Sequence, residues 1–313
     1  MMPWQQLRRL GVLGINERNS RFTLSENPRR LYPLVDNKLL TKELCERAGI
    51  PTAPVLARAE RHGDVKQLIS DLSGTGDFVL KPAMGAMGNG ILVIHDSTES
   101  GWTASGKRVI SREQLAYHAE SIISGLYALG GRPDIAFAEE RLRLHPDLVR
   151  ISHDGVPDIR IIVFRGVPVM AMTRLPTKAS AGRANLHQGA VGAGIDLTTG
   201  RTNFAVIRTT PVERHPDTHE AVVDFQIPQF APALRAAIQA SDETGLGYVG
   251  ADIVIDSRYG AVVLELNARP GLAIQVANRA GLLPRLNAIR ARDTRELDLD
   301  ARIALGLELA ESC

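Results

Sequence analysis

Cysteine is almost missing from this chain of 313 residues: there are two, Cys45 and Cys313. They lie far apart, and neither belongs to a CxxC or zinc-type spacing, which excludes a disulfide-stapled scaffold and a cysteine zinc site. Cys45 falls inside a helical pattern and reads as a small buried hydrophobe. A marked basic excess is missing too. Lys and Arg total 37 against 35 Asp and Glu, a formal net charge of +2, so no global field calls for nucleic acid. No apolar run approaches the ~20 residues that span a bilayer. The opening stretch, MMPWQQLRRLGVLG, has a brief apolar segment and no small-residue cleavage site, a poor signal peptide. These absences predict a cytoplasmic protein with no membrane span and no nucleic-acid partner. No internal repeat, low-complexity tail or G-x-S-x-G nucleophile elbow occurs.

What is present is ordinary in bulk. Charged residues make up 23% and the hydrophobic set 44%, as in soluble globular proteins. The length accommodates two subdomains of roughly 100–200 residues each. Residues 1–35 read as irregular. Asp36 then caps a helix over Lys38–Ala48, stopped by Gly49 and Pro51. A second helix is expected at about Asp64–Leu72. A strand at Phe78–Leu80 ends in Lys81-Pro82 and is followed by Gly85-Ala86-Met87-Gly88-Asn89-Gly90 and a strand at Ile91–Ile94. Residues 95–107 read as a polar loop. The run S-R-E-Q makes a capping box that opens a helix at Ser111, reaching to near Gly125. Further strands are expected near Ile135–Leu142, at Ile159–Phe164 and at Val167–Thr173. A glycine-rich connection, TKASAGRANLHQGAVGAGIDLTTG, comes next, then a helix over Gln229–Glu243, a hairpin, and helices over 272–313. Strands and helices are mixed rather than alternating, which predicts an α+β fold with largely antiparallel sheets.

The hairpin carries the strongest chemistry. It reads GADIVID-SRYG-AVVLELNARPG, with Ile253–Ile255 and Ala261–Leu264 as strands and Ser257–Gly260 as the turn. Folding about Arg258–Tyr259 sets Asp252 roughly opposite Glu265, where facing Cβ atoms lie about 5 Å apart. Asn267 shares the face of Glu265. Two carboxylates and an amide oxygen at one spot form a hard donor set suited to magnesium, which leaves its remaining positions to water and phosphate. A surface hairpin with salt-bridged acids has the same pattern. Lys81 stands beside three glycines in six residues, an arrangement in which backbone N–H groups and a point charge meet phosphate oxygens. It is no Walker A, since no GK[ST] follows, and a plain hairpin turn with a snorkelling lysine would also read this way. The G-x-G-x-x-G match at Gly245–Gly250 follows a helix and opens a strand, the reverse of a dinucleotide fingerprint, and is rejected. Asp158 and Arg160 share a strand face; Arg174, Lys178 and Arg183 add cationic groups downstream. Such arginines make an ordinary surface pair or, beside a nucleotide and metal, stabilise developing negative charge.

In order along the chain, VDNK at 35–38, FVLKP with GAMGNG at 78–90 and AEERL at 138–142 resemble the ATP-grasp ligases. So do DIRIIVFRGVPVMAMTR at 158–174, GRANLHQGA at 182–190 and GADIVI…VLELNARPG through Gly271. The likeness covers about residues 33–285 and is greatest to RimK-type, alpha-L-glutamate ligase-like proteins. It implies a fold of two α+β lobes with ATP between them. An N-terminal arm would cover 1–35, a glycine-loop lobe 36–142, and a metal and substrate lobe with C-terminal helices 143–313. A full domain preceding the ATP-grasp region is expected to be lacking, since 35 residues precede Asp36.

The resemblance also implies residue roles. Lys38 and Lys81 would touch ATP phosphates, with Gly85, Gly88 and Gly90 in the flexible loop over them. Glu139 and Glu140 would lie in the adenine-holding linker, and Asp158, Lys178, Arg183 and Asn185 would contact the nucleotide. Asp252, Glu265 and Asn267 would hold Mg²⁺, two ions in all, with Mn²⁺ as a substitute. Arg160, facing the reacting phosphate, and Arg174 would be catalytic. The implied reaction is ATP-dependent carboxylate–amine ligation. A carboxylate attacks the γ-phosphorus to give an acyl-phosphate, and an amine then displaces phosphate to form an amide. The substrates would be a small amino acid, glutamate among the candidates, and a peptide or other amine acceptor. A partner protein or a second copy of the chain would complete the substrate site. Two other readings stay open: a grasp-type kinase that makes no amide, and a non-catalytic ATP-binding partner protein.

Overall fold

The structure is a computed structural model that describes residues 4–85, 88–128 and 130–312. Ala86 and Met87 of the glycine loop, and Cys313, lie outside the described residues. The described chain forms two compact units. One takes Asn37–Leu39 and Ala53–Leu142; the other takes the described part of Met1–Asp36, Leu40–Thr52 and the chain from Arg143 onward.

The smaller unit is built on six strands: β1 (Val55–Ala59), β2 (Phe78–Pro82), β3 (Leu92–Thr98), β4 (Gly101–Ala104), β5 (Arg108–Ser111) and β6 (Ala136–Glu140). Their order is β1-β6-β2-β3-β4-β5, antiparallel throughout. Helices Val65–Asp71 and Arg112–Ile123 cover an apolar core that includes Leu68, Leu72, Phe78, Leu80, Trp102, Leu115 and Ile122. The second helix begins as the sequence predicts. Ser111 Oγ accepts from the Gln114 N–H at 3.3 Å, and the Gln114 side chain accepts the Ser111 N–H at 3.0 Å, satisfying two N-terminal donors reciprocally.

Residues 95–107 depart from expectation. They are not a loop: β3 continues to Thr98, turns, and returns as β4. Ser, Thr and Gly hide the alternation, yet Trp102 and Ala104 point inward and are buried.

The larger unit carries seven antiparallel strands: β7 (Asp158–Phe164), β8 (Val167–Leu175), β9 (Val191–Ile195), β10 (Thr202–Ile207), β11 (Thr210–Pro211), β12 (Tyr248–Asp256) and β13 (Gly260–Asn267). The order is β11-β10-β9-β8-β7-β12-β13. Alternation sends Ile159, Ile161 and Val163 of β7 to one face, where helix Phe230–Thr244 packs. Ile162 and Phe164 go to the other face, joined by Tyr248, Met170 and Met172 and by Leu286 and Leu305 from the C-terminal helices. β12, β7 and β8 are therefore buried on both sides and read as near-continuous apolar runs.

Two further departures matter. The glycine-rich stretch contains β9, which the sequence hides because Gly192 and Gly194 replace the usual strand residues. A Cβ on Gly192 would lie 2.5 Å from Leu186 Cδ2, and one on Gly194 would lie 2.5 Å from the Ala277 carbonyl oxygen, so close packing excludes larger residues. Residues 4–35 are not irregular either. They run through short helical turns and contribute Leu13 and Phe22 to the second core. Phe22 meets Phe164 edge-on at 5.6 Å between centroids. No helix among the described residues is long and apolar enough to cross a membrane.

Candidate functional site

The polar end of the second sheet face lies on β8, β7, β12 and β13. Along β7 the alternation that buries Phe164 and Ile162 continues to Arg160 and Asp158. Register sets Asp158 opposite Arg174, and Arg160 opposite Asp252. On the far side of β12, Asp252 faces Glu265 and Gly250 faces Asn267. A β-bulge makes this possible. Ile253 pairs with Val263, but Asp252 pairs with Glu265, so Leu264 is the extra residue. Without it, period-two alternation would put Leu264 beside Asp252 and turn Glu265 toward the opposite face.

Five ionisable side chains meet there. Arg160 clasps Asp252 with two bonds, Nε to Oδ1 at 2.7 Å and Nη2 to Oδ2 at 2.6 Å. Arg174 donates Nε to Asp158 Oδ1 at 2.6 Å and Nη2 to Asp158 Oδ2, and Nη2 also reaches Asp252 Oδ2 at 2.7 Å. Asn267 Nδ2 lies 3.3 Å from Glu265 Oε1 and 3.4 Å from Asp252 Oδ2. Asp252 is completely buried. Burial alone would raise its pKa, but the Arg160 and Arg174 charges outweigh burial and hold it well below the carboxylate range. For Asp158 burial wins over Arg174, and with the Asp252 charge added its pKa is pushed up to about 6. Arg174 is held more basic than usual: burial opposes its charge, but Asp158 and Asp252 more than compensate.

Asp158, Asp252 and the half-buried Glu265 set three carboxylates against the two guanidiniums. In a desolvated site the residual negative charge favours one more cation. Asp252, Glu265 and the Asn267 carboxamide converge, so the donor chemistry fits a hard divalent ion. Among the described residues no group of three or more His, Cys, Asp and Glu side chains is set to hold a metal. The carboxamide is oriented with its nitrogen toward the acids; presenting oxygen to an ion needs only a 180° turn of the amide. Arg160 Nη1 makes no hydrogen bond to the described residues and lies 3.8 Å from where a Cβ on Gly271 would be.

The other candidates in this unit stand apart from the cluster. Lys178 and Arg183 are exposed, and no described hydrogen bond or ion pair joins their side chains to it. Asn185 caps a short turn over Leu186–Gln188, its Oδ1 accepting the His187 N–H at 3.0 Å.

In the smaller unit, Lys38 Nζ donates to the Gly85 carbonyl at 2.7 Å, holding the start of the glycine loop. Gly88 and Gly90 both have positive φ, 75° and 76°, where glycine is favoured. At Gly90 a Cβ would also lie 2.6 Å from the Tyr127 ring. Lys81 is buried rather than snorkelling. It pairs with Glu139 on the neighbouring strand and lies 5.3 Å from the Phe137 ring centroid. Glu140 follows Glu139 at the end of β6, its N–H donating to the Pro54 carbonyl at 2.9 Å. Sequence reasoning overlooked Asp134. Its buried carboxylate accepts the Met84 N–H at 3.0 Å and the Ile135 N–H at 2.7 Å, and burial raises its pKa. A lone Asp after Pro133 carries no local signal of that role.

A family model described as sugar-transfer associated ATP-grasp matches residues 17–291. A probable alpha-L-glutamate ligase of Ectopseudomonas mendocina is 26% identical over 266 residues, 85% of this chain and 64% of the relative. A protein of the same name from Methanococcoides burtonii is 27% identical over 250 residues, 77% of this chain and 61% of the relative. The chain thus spans somewhat under two thirds of the length of these curated relatives. Among solved structures, the ATP-grasp ligase PsnB complexed with minimal precursor aligns at a TM-score of 0.46 and 16% identity, covering 85% of this chain and 63% of that one. With the family match running through both the glycine-loop strands and the Asp252–Glu265 hairpin, this chain is a member of the sugar-transfer associated ATP-grasp family.

Proposed function

We propose that this chain is an ATP- and Mg²⁺-dependent carboxylate–amine ligase that works through an acyl-phosphate. The observation that carries the reading is the cluster of two buried aspartates, two half-buried guanidiniums and half-buried Glu265, with Asp252, Glu265 and Asn267 converging as a hard donor set. These three residues would hold the metal, two ions being the proposed number. Bound there, Mg²⁺ supplies charge neutralisation for the transferring phosphoryl group. Arg160 offers its outward Nη1 to the oxygens on which negative charge develops, while its other two nitrogens stay locked on Asp252. Preorganised donors of this kind act most strongly where water is excluded. Arg174 ties Asp158 to Asp252 and keeps both acids oriented. Lys38, Lys81 and the backbone of Gly85, Gly88 and Gly90 would contact phosphate, Glu139 and Glu140 the base, and Asp158, Lys178, Arg183 and Asn185 the rest of the nucleotide.

The relatives' name makes glutamate the first amino acid to try, with peptides and other amines as acceptors. The test is ADP release from purified protein across amino acid and amine mixtures, with mass spectrometry of the products. An amide formed with one ADP per bond supports the reading. A phosphorylated product without amide selects a kinase instead. ATP binding with no turnover in any mixture, together with unchanged cellular function of Glu265→Ala, selects a non-catalytic nucleotide-binding partner.

A further inference from the structure

The loop that leaves the metal-ligand strand is held by side chains from the first thirty residues. Asn27 is buried, and its carboxamide acts as a substitute peptide group at the frayed end of β12 and β13. Oδ1 accepts the Tyr248 N–H at 2.9 Å, and Nδ2 donates to the Tyr248 carbonyl at 2.7 Å and to the Ala268 carbonyl at 3.0 Å. Arg18, also buried, opens a π-helical turn over Arg18–Thr23. Its Nη1 donates to the Pro270 carbonyl at 2.9 Å and the Arg269 carbonyl at 3.4 Å, while Nε and Nη2 are steadied by Asn19 Oδ1 at 3.1 and 2.7 Å.

Three consecutive carbonyls, of Ala268, Arg269 and Pro270, thus accept from two side chains nine residues apart. The same loop is pinned from below, since a Cβ on Gly250 would lie 2.6 Å from Pro270 Cβ. The loop starts at Asn267 and ends at Gly271, beside the open edge of Arg160.

We infer that Arg18 and Asn27 are positioning residues that set the course of Asn267–Gly271, and through it the amide ligand and the reach of Arg160 toward a metal-bound nucleotide. This rests on the metal and nucleotide reading above. The earliest part of the chain therefore serves the larger unit's chemistry from behind.

The test uses the whole chain with Mn²⁺·ADP as the probe, its affinity read by electron paramagnetic resonance. Amide hydrogen exchange of the 267–272 segment in the ligand-free protein is followed alongside. Arg18→Met keeps the buried stem and removes the donors. It is expected to speed exchange in 267–272, leave exchange in β7 and β8 unchanged, and weaken Mn²⁺·ADP binding by about tenfold, the low end for loss of an outer-shell partner. Arg18→Lys, which keeps one donor, should recover part of both. Asn27→Asp keeps the acceptor for Tyr248 and loses both donors, and should act like Arg18→Met if it folds. Normal exchange in Arg18→Met, or fast exchange with wild-type affinity, overturns the inference. Wild-type protein that binds no Mn²⁺·ADP, or a Glu265→Gln variant that binds it as tightly as wild type, removes the metal reading itself and this inference with it.

Discussion

Lys81–Glu139 in the smaller unit and the Asp158–Asp252 network in the larger one are both buried ionic groups on neighbouring strands. They differ in charge count. The first sets one ammonium against one carboxylate, with 5% of each side chain exposed and an aromatic face alongside. The second sets two guanidiniums against three carboxylates, and one guanidinium edge remains open. A balanced pair in a dry place carries no surplus charge, and its partners can even be replaced together by apolar residues without loss. An unbalanced network carries a surplus that a cation would offset. The comparison teaches that a surplus of one sign, rather than burial of charge alone, is what invites a cation.

Several substitutions put this difference at risk. The largest effect is expected for Asp252→Ala, which strands Arg160 and leaves Arg174 with Asp158 alone. Removing one partner of a buried pair costs about 3–5 kcal/mol, and urea unfolding should show a loss in that range along with loss of metal-dependent ADP release. Lys81→Met comes next. It leaves Glu139 buried and should cost no more than the same ~3–5 kcal/mol, whereas Lys81→Met combined with Glu139→Leu should recover most of the loss if the pair is self-contained. A double mutant as unstable as the single one would make this pair the less complete of the two.

Glu265→Gln is expected to move stability by no more than about 1 kcal/mol, since it removes the surplus charge rather than a partner. Its Mn²⁺·ADP affinity should still fall at least tenfold. A large loss of stability with intact affinity would reverse the assignment of Glu265.

The smallest effect lies outside both networks. Burial lowers the pKa of His215, and its ring receives the Asp217 N–H at 3.2 Å and pairs with the Pro176 carbonyl at 2.9 Å. The unfolded chain takes up a proton below pH 6.5 that the folded protein refuses, so stability should fall as pH drops below that value. Thermal melts between pH 7.5 and 5 should show this slope, and His215→Asn should flatten it.

Much of the fold was legible because its signals are local. The capping box at Ser111 and Gln114, the turn at Arg165-Gly166 and the glycine that ends helix Phe230–Thr244 all act within a few residues. The hairpin was legible for the same reason. What escaped was non-local. Strand β9 carries Gly194 because helix Ile274–Asn278 presses on it, and no neighbour in sequence records that pressure. Strands β3 and β4 turn His95, Asp96 and Thr103 toward solvent, so their inward residues looked isolated. Asp134, Arg18 and Asn27 bind backbone groups 50 to 252 residues away.

From the order of its residues alone, this chain specified an α+β fold, the family, and an acid–acid–amide trio near one turn, because alternation, capping and turn chemistry operate over short distances. The tertiary structure alone decided that Leu264 bulges so Glu265 can face Asp252, and that two arginines from adjoining strands close on that aspartate. It also decided that the first residues of the chain brace the loop beyond Asn267. Those outcomes depend on register and on packing between segments far apart in sequence, where a one-residue shift reverses which face a side chain takes.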